Sequence, residues 1–188
     1  LRLILAHAEN KTLIMVTHRL TAIEQFDELC VIDEAKLIEK GTYTEKCISG
    51  LKEEIRKSRM KTKGIIGVNV MVALSNYADM VRTAINEKID VIFSGAGLPL
   101  DLPSYLTTGS ITKLVPIVSS SRAAKIICDK WQKNYNYLPD AIVVEGPKAG
   151  GHLGFKKEQL QDQNYALDVL IPEVVAIAAS YKEQKHIP

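Results

Sequence analysis

The sequence has little cysteine and little net charge, and it lacks any long apolar run. Its three cysteines, Cys30, Cys47 and Cys128, are odd in number, far apart and without a CxxC spacing. That arrangement excludes a disulfide framework and a zinc site, so no metal is expected and a reducing cytoplasm fits. No stretch approaches the ~20 apolar residues that cross a bilayer, so no membrane contact is expected of residues 51–188. The opening LRLILAHAENK has neither a basic leader nor a small-residue cleavage site. A formal net charge of +2 gives no field of the kind nucleic-acid modules concentrate on one face. Lys52 to Lys63 is locally basic but interrupted by Glu53 and Glu54, which reads as a solvated helix face. The chain begins at Leu1 instead of Met, so its true amino terminus is expected upstream.

What is present is aliphatic and regularly punctuated. With 46% hydrophobic and 24% charged residues over 188 positions, the chain is of the soluble globular class, long enough for one domain or for two incomplete pieces. Thr12 to Val16 (TLIMV) and Leu29 to Asp33 (LCVID) read as strands, with Ala35 to Gly41 as a hairpin partner for the second. Leu51, Ile55 and Arg59 recur at helical spacing and predict a short amphipathic helix from Leu51 to Met60. Then the texture changes. Strands are expected at Gly64 to Val72, Val91 to Gly97, Leu114 to Ser120 and Ala141 to Gly146. Helices are expected at Asn76 to Glu87, near Ser104 to Thr108, at Arg122 to Lys133 and at Tyr165 to Glu183. Near-continuous apolar strands separated by helices imply a parallel sheet, closed as a barrel or open and doubly wound. Four such units are about half of an eight-stranded barrel, and a fifth strand is expected where the sequence stops at KEQKHIP.

In a parallel barrel the chemistry collects at the carboxyl ends of the strands. The residues to inspect are therefore Asn69, the run Ser94-Gly95-Ala96-Gly97, the run Ser119-Ser120-Ser121, and Glu145-Gly146-Pro147-Lys148-Ala149-Gly150-Gly151-His152. Glycines there let the backbone approach an anion and aim N–H groups at phosphate oxygens. An imidazole just after them, His152, has the near-neutral pKa needed to take a proton from a carbon acid.

The segments GVNVMVALSNYADMV, SGAGLPLDLP, PIVSSSRAAKI and VVEGPKAGGHLGF resemble the nitronate monooxygenase (2-nitropropane dioxygenase) family, which also includes flavin-dependent enoyl-acyl carrier protein reductases. The resemblance runs from about residue 51 to 188 and implies an FMN-binding (β/α)8 TIM barrel, present here as about four βα units. It implies that Asn69 contacts the flavin, that Gly150 and Gly151 lie along its phosphate side, that Ser119 is a further contact, and that His152 is the catalytic base. The implied reaction starts from a nitroalkane or its nitronate, uses O2, and yields a carbonyl compound and nitrite. The family's Gly-Gly-Met-type loop and later glycine strands are not in this sequence, so FMN binding by this stretch alone is expected to be weak or absent.

Residues 1–46 are expected to form a separate, strand-rich unit. KTLIMVTHRLTAIEQFDELCVIDEAKLIEKGTYTE resembles the carboxyl-terminal end of an ABC transporter ATPase domain, with His18 at the switch-histidine position. That resemblance implies a transporter as the original partner. The 188 residues contain no GxxxxGK[ST] loop and no LSGGQ-like signature, so ATP hydrolysis is not expected from them. Two unrelated part-domains in one chain suggest a misassembled or frame-joined product, and an inactive chimera is one of the readings this leaves open.

Other residues have plainer readings. His7 and His186 read as solvated and Cys128 as core. Trp131, Tyr135 and Tyr137 read as helix-end packing and not as a stacking platform, because no basic groove accompanies them. Ser119 and Ser120 also fit as ordinary turn residues.

Overall fold

The computed structural model describes residues 29–33, 36–150 and 154–184, with side chains at 42–150 and 154–181. The chain divides into two compact units between Ser49 and Gly50. In the first, β1 (Leu29–Asp33) and β2 (Lys36–Gly41) form an antiparallel hairpin, as the alternation predicted. The predicted strand Thr12 to Val16 and His7, His18 and His186 lie outside the described residues.

Helix α1 (Tyr43–Lys61) starts eight residues before the predicted Leu51. The cause is a capping box. Glu45 Oε2 accepts the Thr42 N–H at 2.8 Å and Thr42 Oγ1 accepts the Glu45 N–H at 3.2 Å, so two otherwise orphaned donors are satisfied.

The second unit is a four-stranded parallel sheet in the order β3-β4-β5-β6. The strands are β3 (Gly67–Met71), β4 (Val91–Gly95), β5 (Lys113–Val118) and the short β6 (Val143–Val144). Helix α2 (Tyr77–Asn86) links β3 to β4, and α3 (Ser121–Tyr135) links β5 to β6. A loop with a single 3-10 turn (Leu102–Tyr105) links β4 to β5, where a weak helix was expected. Helix α4 (Leu167–Gln184) follows β6. This is the α/β half-barrel architecture expected from the alternation, with shorter strands: residues 64–66 and 141–142 precede the β3 and β6 ladders, and the residues after β4, β5 and β6 turn into the loops of the strand-end mouth.

Alternate strand positions divide between two environments. Val70, Ile92, Leu114 and Val118 are buried with Val81, Ala84, Ile127, Trp131 and Val174 of the covering helices. At roughly 1.5–3 kcal/mol per fully buried large aliphatic side chain, this layer is the main stabilising element. The opposite face, carrying Asn69, Phe93, Ile117 and Val143, is only partly covered. Trp131 is fully buried with its ring 6.1 Å from that of Tyr137, so the packing reading of these aromatics holds. Cys128 is also core, and burial pushes its thiol up to about 11.

Candidate functional site

The carboxyl ends of the four strands surround one cavity of about 470 Å³. Strand β3 and the chain beyond it contribute Asn69, Met71 and Ala73. The end of β4 contributes Gly95, Ala96, Gly97 and Leu98. From β5 and the start of α3 come Ile117, Val118, Ser119 and Ala123, and from the β6 side Glu145, Gly150 and Gly154.

Small residues shape this mouth for steric reasons. A Cβ on Gly95 would stand 2.9 Å from Ile117 Cβ on the neighbouring strand, so the bare backbone lets Ile117 lie on the cavity wall. Gly97 has φ +134 and a Cβ there would meet Val72 Cβ at 3.0 Å; Ala96 beside it holds φ +52. Two consecutive positive-φ residues turn the chain sharply at the strand end, a conformation L side chains rarely adopt. Gly150 differs. Among the described residues nothing lies within 4 Å of where its Cβ would be, so none of them requires glycine there.

Buried bonds fix the mouth from below. Ser94 Oγ donates to the Val70 carbonyl at 3.0 Å, and Tyr77 Oη lies 3.0 Å from Ser94 Oγ, joining the start of α2 to β3 and β4. Burial pushes the Tyr77 phenol up to about 12, partly opposed by the Ser94 bond, so it stays a neutral donor. Past the ladder ends, Val72 N–H donates to Gly95 O and Glu145 N–H to Val118 O, both at 2.8 Å. The loop after β4 is pinned by α3, with Trp131 Nε1 donating to Pro99 O at 2.9 Å and Tyr135 Oη to Asp101 Oδ1 at 2.8 Å.

The three serines after β5 separate by role. Ser119 lines the cavity and donates to Gly154 O at 3.3 Å. Ser120 caps α3, accepting the Ala123 N–H at 3.2 Å, which is the turn-residue reading. Ser121 reaches Glu173 Oε2 on α4 at 2.8 Å. Of the predicted site residues, Asn69, Ser119 and Gly150 come together on one cavity. Gly151 and His152 lie outside the described residues. Met71, Ala73 and Ile117 were not anticipated. Counting alternate positions inward from Asn69, and from Ser119, would have found them. Among the described residues no three His, Cys, Asp or Glu side chains cluster to hold a metal, and no helix is long and apolar enough to cross a membrane.

Comparison with known proteins finds similarity of two kinds. A family model described as nitronate monooxygenase matches residues 34–181. Among solved structures, a mutant of FabK from Thermotoga maritima is 28% identical with a TM-score of 0.56, and another FabK structure from the same organism is 27% identical with a TM-score of 0.54. Both comparisons cover 69% of this chain but only 38% and 36% of those chains. Separately, 43 residues, 23% of this chain, are 74% identical to the glutathione/L-cysteine transport system ATP-binding/permease protein CydC of Haemophilus influenzae. Another 37-residue match is 46% identical to the ATP-dependent lipid A-core flippase of Vibrio cholerae. The chain spans 8% and 6% of these two proteins.

Proposed function

The chain belongs to the nitronate monooxygenase family, and on that premise we propose that its strand-end cavity is the flavin-facing wall of an FMN-dependent oxidoreductase. The substrate class we assign is the alkyl nitronate or nitroalkane, oxidised with O2 to a carbonyl compound and nitrite. The observation that carries this reading is the meeting of Asn69, Ser119 and Gly150 on one cavity. Its volume of about 470 Å³ falls within the roughly 300–1,000 Å³ usual for ligand sites. The open space at Gly150 is a second fit, because no described protein atom lies near its Cβ position, which leaves room for a bound group.

In this reading the flavin, when bound, supplies the electron acceptor. Asn69 offers an amide that both donates and accepts hydrogen bonds from the inner face of β3. Gly150 and Gly151 let backbone N–H groups approach the cofactor's phosphate side, and Ser119 adds a hydroxyl. His152, two residues from each of the lining residues Gly150 and Gly154, takes the substrate's α-proton on a ring nitrogen. The ATP-binding-like stretch is assigned no hydrolysis, and a transporter is its proposed original partner. A cytoplasmic setting is proposed with the flavin chemistry.

The test is a His152→Ala variant of the chain extended through the family's remaining strands. Loss of nitroalkane oxidation with flavin absorbance retained supports the assignment, and unchanged turnover removes His152 from its role. A second reading, a flavin-dependent enoyl-acyl carrier protein reductase, is favoured by the likeness to the FabK structures. Turnover of an enoyl thioester with NAD(P)H, and none of a nitroalkane, would select it.

A further inference from the structure

Gly146 and Gly154 are glycines for want of space and not for backbone conformation. Neither has a positive φ, unlike Gly97 and Gly109, so an L side chain could adopt the backbone at both. What excludes a Cβ is a neighbour. At Gly146 it would stand 2.8 Å from Leu167 Cγ and 3.1 Å from Leu167 Cδ2, at the start of α4. At Gly154 it would stand 2.2 Å from Ser119 Oγ and 2.9 Å from Ser119 Cβ, just past the end of β5. Ser119 Cβ is fixed to the main chain, so rotating the hydroxyl away does not clear the space.

These two contacts stand at the ends of residues 147–153. On the near side the chain is already held. Glu145 N–H donates to Val118 O at 2.8 Å, and Gly146 O accepts the Ala149 N–H at 3.1 Å, closing a turn that leads straight into Gly150. On the far side Ser119 Oγ donates to Gly154 O at 3.3 Å, and the Phe155 ring stands edge-on to Tyr165 at 6.0 Å, next to the start of α4. Gly150 lines the cavity, yet no described atom lies within 4 Å of its Cβ position. Its place on the wall is therefore inherited from where the chain leaves Gly146 and where it returns at Gly154. A displacement of about 1 Å is enough to spoil a reacting geometry.

We propose that Gly146 and Gly154 are positioning residues of the strand-end site: bare backbone at these two points, seated on Leu167 and on Ser119, sets where Gly150 stands on the cavity wall. This holds for any ligand of the cavity and so stands apart from the flavin reading.

The experiment is limited tryptic digestion of the folded full chain, read by mass. Cleavage after Lys148 reports the segment between the two contacts, and cleavage after Lys130, within α3, reports the rest of the unit. Gly154→Ala and Gly146→Ala should each speed cleavage after Lys148 about ten-fold, near the low end of an overpacking cost, with cleavage after Lys130 unchanged. Partner substitutions should then restore the slow rate. Ser119→Gly removes both atoms that a Cβ at Gly154 would strike, whereas Ser119→Ala keeps the Cβ and should rescue Gly154→Ala only in part. Leu167→Ala removes the three nearest atoms to a Cβ at Gly146 and should rescue Gly146→Ala. Each pair is read against Ser119→Gly or Leu167→Ala alone, so that the coupling between the two positions is what is measured. Where a single glycine variant does not fold, its paired variant decides: folded and cut slowly it supports the proposal, and unfolded it overturns it. In either pair, a glycine variant cut at the parent rate overturns the proposal. So does cleavage that rises equally after Lys130, or that the partner substitution leaves unrescued.

Discussion

Asp90 and Ile66 close a two-bond ring at the foot of the sheet: the Asp90 carboxylate accepts the Ile66 N–H at 2.7 Å, and the Asp90 N–H donates to the Ile66 carbonyl at 3.2 Å. Asp140 and Leu114 repeat it, with the carboxylate accepting at 2.9 Å and the N–H donating at 3.1 Å. Each aspartate lies at or near the start of one strand and holds the beginning of the strand beside it. Each also meets a cation, Arg59 at 2.7 Å and Lys113 at 3.0 Å. The amino-terminal end of the half barrel is thus fastened by carboxylates on backbone N–H groups, while the carboxyl-terminal end, held by hydroxyl, phenol and indole bonds, carries the small residues and the cavity.

Asp90→Ala should therefore destabilise the second unit by about 1–3 kcal/mol, the usual result of leaving a hydrogen-bonded backbone donor without its charged acceptor. Asp90→Asn keeps an acceptor for Ile66 and should lose less. Urea denaturation reads both, as a lower midpoint at unchanged slope.

The two aspartates also set an acid limit. The Ile66 N–H, with Arg59, holds Asp90 below its ordinary pKa. Burial pushes Asp140 the other way, but the bonds from Tyr137 and Leu114 and the Lys113 charge outweigh it and the net shift is also downward. Depressed folded-state values mean that this stabilisation is complete above the ordinary aspartate pKa of about 3.9 and is lost as pH falls through the lower folded values. Stability measured from neutral pH downward should hold to about pH 4 and then fall. The fall should be shallower in Asp90→Asn.

Much of this was legible beforehand, for identifiable reasons. The alternation of Val/Ile runs with helical periodicity located all four strands and the three helices that cover them, because the strands are apolar on the partly covered face as well as on the face buried under the helices. The T-x-x-E signal at Thr42 and Glu45 was in plain view and would have started α1 in the right place. The foot-of-sheet rings were not legible, since Asp90 and Ile66 are joined by strand pairing and not by spacing. At the mouth, Asn69, Ser119 and Gly150 could be chosen because strand ends gather function in this architecture. Their partners Met71 and Ile117 look like ordinary core residues until the register shows which face they occupy.

Trp131 is the clasp of the β4–β5 loop. Trp131→Phe removes the bond to Pro99 and part of a fully buried ring, which should cost about 1–3 kcal/mol. Thermal unfolding gives the stability loss, and earlier proteolytic cleavage between Leu98 and Leu106 would show that the loop is released.

Glycines at the mouth should divide by cause. Gly95→Ala places a Cβ against Ile117 at 2.9 Å, so the fold itself should lose stability. A Cβ added at Gly150 meets no described protein atom within 4 Å, so in Gly150→Val thermal stability should be unchanged while flavin affinity falls. Asn69→Ala, exposed in the half barrel, should likewise leave stability intact and weaken flavin binding about ten-fold, the equivalent of one hydrogen bond.

The most direct measurement is the visible absorbance of the chain, extended through the family's remaining strands and purified in the presence of FMN, beside the same protein carrying Gly150→Val. The expected result is a yellow protein with flavin bands that co-elute with it, and a colourless Gly150→Val variant of equal thermal stability. An extended chain that stays folded and colourless with FMN in excess would contradict the assignment of the strand-end cavity to a flavin.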